Sequence, residues 1–525
     1  MKEQIQRRKT FAIISHPDAG KTTMTEKLLL YGGAIRLAGS VKARKSSAHA
    51  VSDWMDIEKQ RGISVTSSVL QFEYNDFCIN ILDTPGHQDF SEDTYRTLVA
   101  ADCAVMLIDG AKGVEAQTIK LFEVCKMRGI PIFTFINKMD RASKNPFALM
   151  EELENVLGIR SYPMNWPIGT DGDFKGIYDR KHSMIHVYSG KDHGQTLVES
   201  VSGSIEDDVF HDLLGKHYHD KLKEDVELLE IAGDEFEMKK VNDGELTPIF
   251  FGSAMTNFGV EQFLNYFLKM APSPISRNSS LGYIDPYDEN FTAFVFKIQA
   301  NMNPTHRDRL AFVRICSGKF KKSMEVNHVQ SGKRIRLAQP TQIMAQERTL
   351  IEEAYSGDII GLFDPGIFKL GDTLCQSSEK VVFEGIPVFP VEHFAKISSL
   401  DSMKRKQFQK GITQLAEEGA IQVFKQLDIG VDTFIIGVVG VLQFEVLEHR
   451  LKNEYNVDIR KEPMPHRHAR WIQDQSVDPR TLNKTSTTIL ASDMKDANVM
   501  IFENEWGITW VTDKNKGVEL SAYSI

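Results

Sequence analysis

The sequence predicts an α/β fold: a doubly wound, mostly parallel sheet at the amino end, then an antiparallel β-barrel, then an α+β C-terminal domain. Three observations carry that expectation. The turn Gly20-Lys21-Thr22 joins an apolar run at 10–14 to a helix-like segment. Buried strand-like runs then alternate with helix-like stretches as far as the Pro/Ser-rich segment Ala271-Pro272-Ser273-Pro274-Ile275-Ser276, which is the pattern of a parallel sheet with crossover helices. Beyond it the texture changes to short strand-like runs separated by Ser-Gly, Pro-Gly and Gly-Asp turns.

The elements follow in order. After the turn, a helix runs to 30, strands are expected near 65–73 and 77–82, and a helix begins after His87. Strand 103–109, helix 114–127 and strand 131–136 come next. The interval from Asp140 to Ser253 is longer than one helix and one strand need, so a charged, turn-rich subdomain inserted at 162–246 is expected inside a first domain of 1–275. A barrel at 276–386 should use strands 291–299, 310–316, 324–328, 334–337 and 359–363. The domain 387–525 should contain strand 388–397, helix 405–418, strand 433–439 and helix 441–455, a split βαβ arrangement that a strand-rich tail from 469 completes.

Composition fits a globular enzyme of three or four domains: 525 residues, 42% hydrophobic and 26% charged. No apolar run reaches membrane-spanning length and the Met1-Lys2-Glu3-Gln4 start lacks a secretory core, so a cytoplasmic protein without membrane contact is expected. The five cysteines, Cys78, Cys103, Cys125, Cys316 and Cys375, are scattered and read as free thiols. A net charge of −10 does not advertise nucleic-acid binding, and no DNA partner is expected; any RNA contact must be local. The clusters Arg7-Arg8-Lys9, Lys42/Arg44/Lys45, Lys319/Lys321/Lys322 and Lys404-Arg405-Lys406 read as solvated surface, although the second lies in an expected mobile loop where a phosphate contact is the alternative. His211, His217, His219, His466 and His468 read as exposed.

The chemistry lies in three motifs and a fourth, weaker one. Ser15-His16-Pro17-Asp18-Ala19-Gly20-Lys21-Thr22-Thr23 reads as a phosphate cradle. Backbone N–H groups and a helix N-terminus face the β-phosphate, Lys21 adds a full charge, and Thr22 offers a hydroxyl to Mg²⁺. Ser15 stands where that loop usually begins with Gly. In Asp83-Thr84-Pro85-Gly86-His87, Asp83 ends a buried strand and suits a Mg²⁺ site, Gly86 exposes an N–H to a γ-phosphate, and His87 is the candidate catalytic group that orients water. Upstream, Arg61-Gly62-Ile63-Ser64-Val65-Thr66 suits a mobile loop in which Ser64 is a second hydroxyl ligand; Ile63 either shields the water or starts the next strand. In Asn137-Lys138-Met139-Asp140 the Asp140 carboxylate accepts from the N1–H and 2-amino group of guanine, a donor pair that adenine lacks. Such a site discriminates by about four to five orders of magnitude. Asn137 braces the loop, Lys138 covers the ring, and Ser253-Ala254 offers a backbone N–H to guanine O6. GTP or GDP with Mg²⁺ is the expected ligand set.

Ser15 to Thr23, Arg61 to Thr66, Asp83 to His87 and Asn137 to Asp140 resemble the four signatures of translational GTPases, and the linker followed by a barrel is similar to that family's second domain. Ser15 to Lys21, Gln414-Leu415-Ala416-Glu417-Glu418-Gly419-Ala420 and Gly440-Val441-Leu442-Gln443-Phe444-Glu445-Val446-Leu447 resemble most closely the class II peptide-chain release factors. The resemblance implies a ribosome-stimulated GTPase that dislodges class I release factors after peptide release and leaves after hydrolysis. Its implied partners are the ribosome, RNA and proteins alike, and the class I factors. It also implies Lys21 and Thr22 on phosphate and Mg²⁺, Ser64 on Mg²⁺, Asp83 and Gly86 at the γ-phosphate, His87 on water, and Asn137 and Asp140 on guanine. Ser64 replaces a commoner Thr, Met255 a frequent Lys or Leu, and Pro17 an aliphatic residue. The alternative within the family is an elongation or ribosome-protection factor; the chain ends at Ile525 without the tRNA-like domains those relatives carry. Outside it stand an ATP-using kinase or motor, which has no use for Asn137 to Asp140, and a GTP-dependent scaffold that does not hydrolyse.

Overall fold

In the computed structural model, the described residues are 1–33, 58, 64–169, 174–188, 200–232, 235–300, 309–337, 340–344, 347–377, 379–384, 386, 389–427 and 433–523. Arg61, Gly62, Ile63 and the cluster Lys42, Arg44, Lys45 lie outside them.

The first sheet uses β1 (Arg8–Ser15), β2 (Ser68–Tyr74), β3 (Phe77–Asp83), β4 (Cys103–Asp109), β5 (Ile132–Asn137) and β6 (Arg160–Pro163). An antiparallel sheet of β7 (Asn165–Ile168), β8 (Gly176–Asp179), β9 (Met184–Tyr188) and β10 (Ser200–Ser204) precedes β11 (Leu246–Phe251), which returns to the first sheet. The seven-stranded order is β2-β3-β1-β4-β5-β11-β6. All neighbours are parallel except β2 and β3.

Period-two alternation explains why these strands are apolar throughout. Phe11 and Ile13 of β1 face one core with the helices Lys21–Tyr31 and Val260–Met270, while Ala12 and Ile14 face another with the helices Ser91–Ala100 and Ala116–Met127. Parallel register puts the carboxyl ends of the strands at one edge: Ile13 pairs with Asp83, Asp109 with Asn137, and Phe251 with Ile136. Each motif follows a strand that ends there, and this edge is where open α/β sheets bind ligands.

The barrel strands include Thr292–Ala300, Arg309–Ser317, Glu325–His328, Lys333–Arg336 and Ile359–Phe363, all in antiparallel pairings. In the last part, His393–Ser399, Gln422–Gln426, Thr433–Val438 and Ile459–Met464 form a sheet covered by the helices Arg405–Glu417 and Leu442–Tyr455. Pairing of Lys425 with Ser492 and Gln426 with Ala491 joins the tail strands to it.

Buried polar groups tie the first sheet to the barrel. Asp102 is fully buried and accepts from Arg314 at 2.6 Å and Arg277 at 3.0 Å. Arg8 Nε reaches Asp358 at 2.6 Å, and Lys9 Nζ donates to the Ala271 carbonyl at 2.6 Å. The solvated reading of Arg8 and Lys9 is therefore corrected: both are buried, because barrel and linker cover the strand that carries them. Two histidines are corrected likewise. His219 Nε2 lies 2.8 Å from the Ile205 carbonyl and His466 Nε2 lies 2.8 Å from that of Thr487, each buried as the peg of a turn. All five cysteines are free, and burial pushes the Cys125 and Cys316 thiols up to about 12, which leaves them inert. Among the described residues, no helix is long and apolar enough to cross a membrane.

Candidate functional site

The phosphate loop is a tight reversal between β1 and the helix Lys21–Tyr31. Asp18 has φ 66° and Gly20 φ 99°, and a Cβ on Gly20 would lie 2.3 Å from the Asn137 amide nitrogen. Glycine is required there on both counts. Ser15 is buried, and its Oγ and His16 Nδ1 make no hydrogen bond among the described residues, while His16 Nε2 is 3.3 Å from Glu115. Pro17 is half-buried and Ala19 buried, and Thr22 and Thr23 sit half-buried in the helix's first turn, where N–H groups have no intrahelical acceptor. Two buried polar atoms without partners beside such a turn fit a phosphate group.

Lys21 Nζ and Asp83 Oδ1 are 2.5 Å apart, both buried. Thr84 anchors the next turn by donating to the Ile13 carbonyl at 2.7 Å, and the Pro85 carbonyl accepts from Thr94 at 3.1 Å. A Cβ on Gly86 would lie 3.5 Å from the Pro17 Cα, so the two loops nearly touch. Ser64 is half-buried beside Val65, whose N–H donates to Glu58 at 2.9 Å. Among the described residues, no cluster of three His, Cys, Asp or Glu side chains suits a metal. A carboxylate with hydroxyls instead suits Mg²⁺, which completes its shell with water and phosphate oxygens.

The base side is densely braced. Asn137 Nδ2 donates to the Ala19 carbonyl at 2.9 Å while its Oδ1 accepts from Ala254 N at 2.8 Å. One side chain thereby joins three of the sequence segments. Lys138, at φ 68°, donates to Asp109 at 2.7 Å and to the Asp18 carbonyl at 2.5 Å. Met139 is buried and its N–H reaches the Gly252 carbonyl at 3.1 Å, and Ser253 Oγ donates to Asp140 Oδ1 at 2.8 Å. Met255 is half-buried just beyond. Asp109 escaped the sequence reading. Burial raises its carboxyl, but the Lys138 hydrogen bond, the Ala111 N–H and the charges of Lys138 and Lys112 outweigh this and hold it below the ordinary carboxylate value. Its place at the end of β4, on the same edge, is the signal that would have found it.

His87 is half-exposed and caps the short helix Gln88–Phe90. Its Nδ1 accepts from Asp89 N at 3.2 Å and lies 3.3 Å from Asp89 Oδ1. Further along, the switch side enters a junction of all three parts of the chain. Asp93 accepts from Ser67 N at 2.5 Å and Oγ at 2.6 Å, and Lys297 of the barrel is 3.7 Å away and also donates to the Ser67 carbonyl. Burial lowers the Lys297 ammonium against the pull of Asp93. Arg96 pairs with Glu92 and donates to the Gly419 carbonyl at 2.9 Å. Glu418 pairs with Arg450 at 2.7 Å; burial raises its carboxyl in spite of that partner.

This fold and pocket define a nucleotide-switch protein of the translation-factor class. Residues 6–273 match the family described as "Elongation factor Tu GTP binding domain", 290–377 "Elongation factor G domain 2", and 383–512 "Class II release factor RF3, C-terminal domain". Curated relatives named "Peptide chain release factor 3" agree over nearly whole chains. That of Symbiobacterium thermophilum is 57% identical over 98% of this chain and 97% of its own, and that of Listeria innocua 53% identical over 99% of each. A crystal structure of a protein from Thermus thermophilus shares the fold with a TM-score of 0.71 at 21% identity, covering 93% of this chain and 72% of the other. The chain belongs to the peptide chain release factor 3 family, the class II release factors. It is a guanine-nucleotide-binding GTPase of translation termination.

Proposed function

We propose that this GTPase, stimulated by the ribosome, promotes dissociation and recycling of class I release factors after peptide release, working in the cytoplasm. Its functional division is 1–275 for nucleotide, with the insertion at 162–246, and 276–386 and 387–525 for transmission. Ser15 to Thr23 hold the phosphates, with Lys21 as the cation. Asn137 to Asp140 with Ser253 and Ala254 read guanine, Asp83 and Gly86 sense the γ-phosphate, and Thr84 and Pro85 complete the nucleotide-binding turn between them. Thr22, Ser64 and Asp83 are the residues that would hold Mg²⁺, which when bound neutralises phosphate charge. His87 positions the attacking water, and ribosomal RNA beside the bound factor turns it into place.

The observation that carries this reading is Asn137, bonded at once to the phosphate loop at Ala19 and the base loop at Ala254. No arginine lies within the four motifs to neutralise the γ-phosphate, apart from Arg61 at the start of the upstream loop, which favours activation from outside. The test measures release of a class I factor from post-release ribosomes with GTP, with a non-hydrolysable analogue and without nucleotide. Recycling that proceeds equally without nucleotide refutes the proposal. His87→Ala is expected to lower ribosome-stimulated hydrolysis by about 10²- to 10⁴-fold with nucleotide affinity held.

A further inference from the structure

We propose that Asp89 is a positioning residue through which the C-terminal domain restrains His87; this rests on the reading of His87 as the water-positioning group. Asp89 is buried, and its carboxylate faces two parts of the chain at once. Oδ1 lies 3.3 Å from His87 Nδ1, and Oδ2 accepts from Leu442 N at 2.8 Å across 353 positions of sequence. Leu442 begins the helix Leu442–Tyr455, whose own cap residue, Val441, supplies no side-chain acceptor. Asp89 therefore caps a helix of another domain, a task that a local Ser, Asp or Asn usually performs.

The fit is close enough to be exclusive. A Cβ on Gly440 would lie 2.2 Å from Asp89 Cγ and 2.5 Å from its Cα, so only glycine lets the carboxylate reach the helix. Gln443 Oε1 fixes that glycine turn by accepting from Val439 N at 2.8 Å and Gly440 N at 3.0 Å. On the first domain's side, His87 Nδ1 accepts the Asp89 N–H, so the ring that would serve the water is engaged in capping its own turn. While Leu442 holds the carboxylate, the 88–90 turn and the ring above it stay together. Displacement of the C-terminal domain removes the cap, loosens Asp89 and frees the ring to rotate.

The experiment uses full-length protein and two readouts. Single-turnover GTP hydrolysis without ribosomes is expected to rise about 5- to 150-fold in Asp89→Ala and in Gly440→Ala, the range of a typical coupling between sites. Asp89→Asn, which keeps an acceptor for Leu442, should rise less, and the gain should vanish when His87→Ala is added. Hydrogen exchange at 440–444 should quicken in Asp89→Ala. If His87→Ala abolishes ribosome-stimulated hydrolysis while Asp89→Ala and Gly440→Ala leave the ribosome-free rate unchanged or lower, the restraint is refuted and the role of His87 stands. If His87→Ala leaves the ribosome-stimulated rate intact, the role of His87 itself is refuted. Unaltered exchange at 440–444 in Asp89→Ala refutes the cap irrespective of catalysis.

Discussion

At the end of the pocket proposed to read guanine, Asn137, Lys138 and Ser253 bond to Ala19, Asp18, Asp109, Ala254 and Asp140, all within the first domain. Beyond the end proposed to meet the γ-phosphate, Asp89, Asp93 and Arg96 reach instead to Leu442, Lys297 and Gly419 in the barrel and C-terminal domain. The first arrangement makes a reader whose shape does not depend on how the domains are set. The second makes a segment whose movement cannot be separated from theirs, because its buried charges lose partners whenever a neighbour shifts. The proposed function thus gives selectivity and transmission to opposite ends of one pocket.

Substitutions that respect or violate this division test it. The largest effect is expected at the reader: Asp140→Asn should reverse preference from guanosine towards xanthosine nucleotides, with GTP selectivity falling about 10⁴- to 10⁵-fold in competition titrations. Unfolding free energy should be nearly unchanged. Next, Lys297→Met takes the buried cation away from half-buried Asp93 and should destabilise the protein by about 3 kcal/mol in urea unfolding, while nucleotide affinity holds. An equal loss of affinity would erase the distinction between the two ends. Ser253→Ala removes one hydrogen bond to the Asp140 carboxylate, worth about 1.5–3 kcal/mol, and should weaken GDP and GTP alike in calorimetry.

The smallest effect is a pH dependence. Burial raises the Asp93 carboxyl, but Lys297, Ser67 and Arg96 outweigh it and hold it below its ordinary value of 3.8. A carboxylate depressed on folding contributes stability that is whole above its unfolded value and is lost as pH falls through the folded one. The stability difference between parent and Asp93→Asn should therefore stay constant from about pH 7 to 5 and shrink below 3.8. A difference that grows on acidification would reverse the assignment.

Reading the chain from sequence worked for the fold class and for guanine-nucleotide binding, which depend on local grammar. Lys21, Asp83, Asn137 and Asp140 are legible as candidates because each follows an apolar run that ends in a turn, and parallel strands bring such ends to one edge. The strands 422–426 and 459–464 were not anticipated, since short mixed runs such as Arg460-Lys461-Glu462 carry no clean alternation and acquire strand geometry by pairing with neighbouring strands, His393–Ser399 and Thr433–Val438. Arg8, Lys9, His219 and His466 misled for a related reason. Each is polar, and nothing nearby in sequence marks the cover or the partner that buries it.

The sequence by itself determined that the chain handles a guanine nucleotide and in what order its folding units come, because these follow from residue type and spacing along a few neighbouring turns. Tertiary structure alone decided that Asp89 bonds to the start of a helix begun at Leu442, that Asp102 accepts from both Arg277 and Arg314, and that Arg96 reaches the Gly419 carbonyl. Those pairings join positions far apart in the chain, and a charge discloses its partner only when packing has removed the water between them.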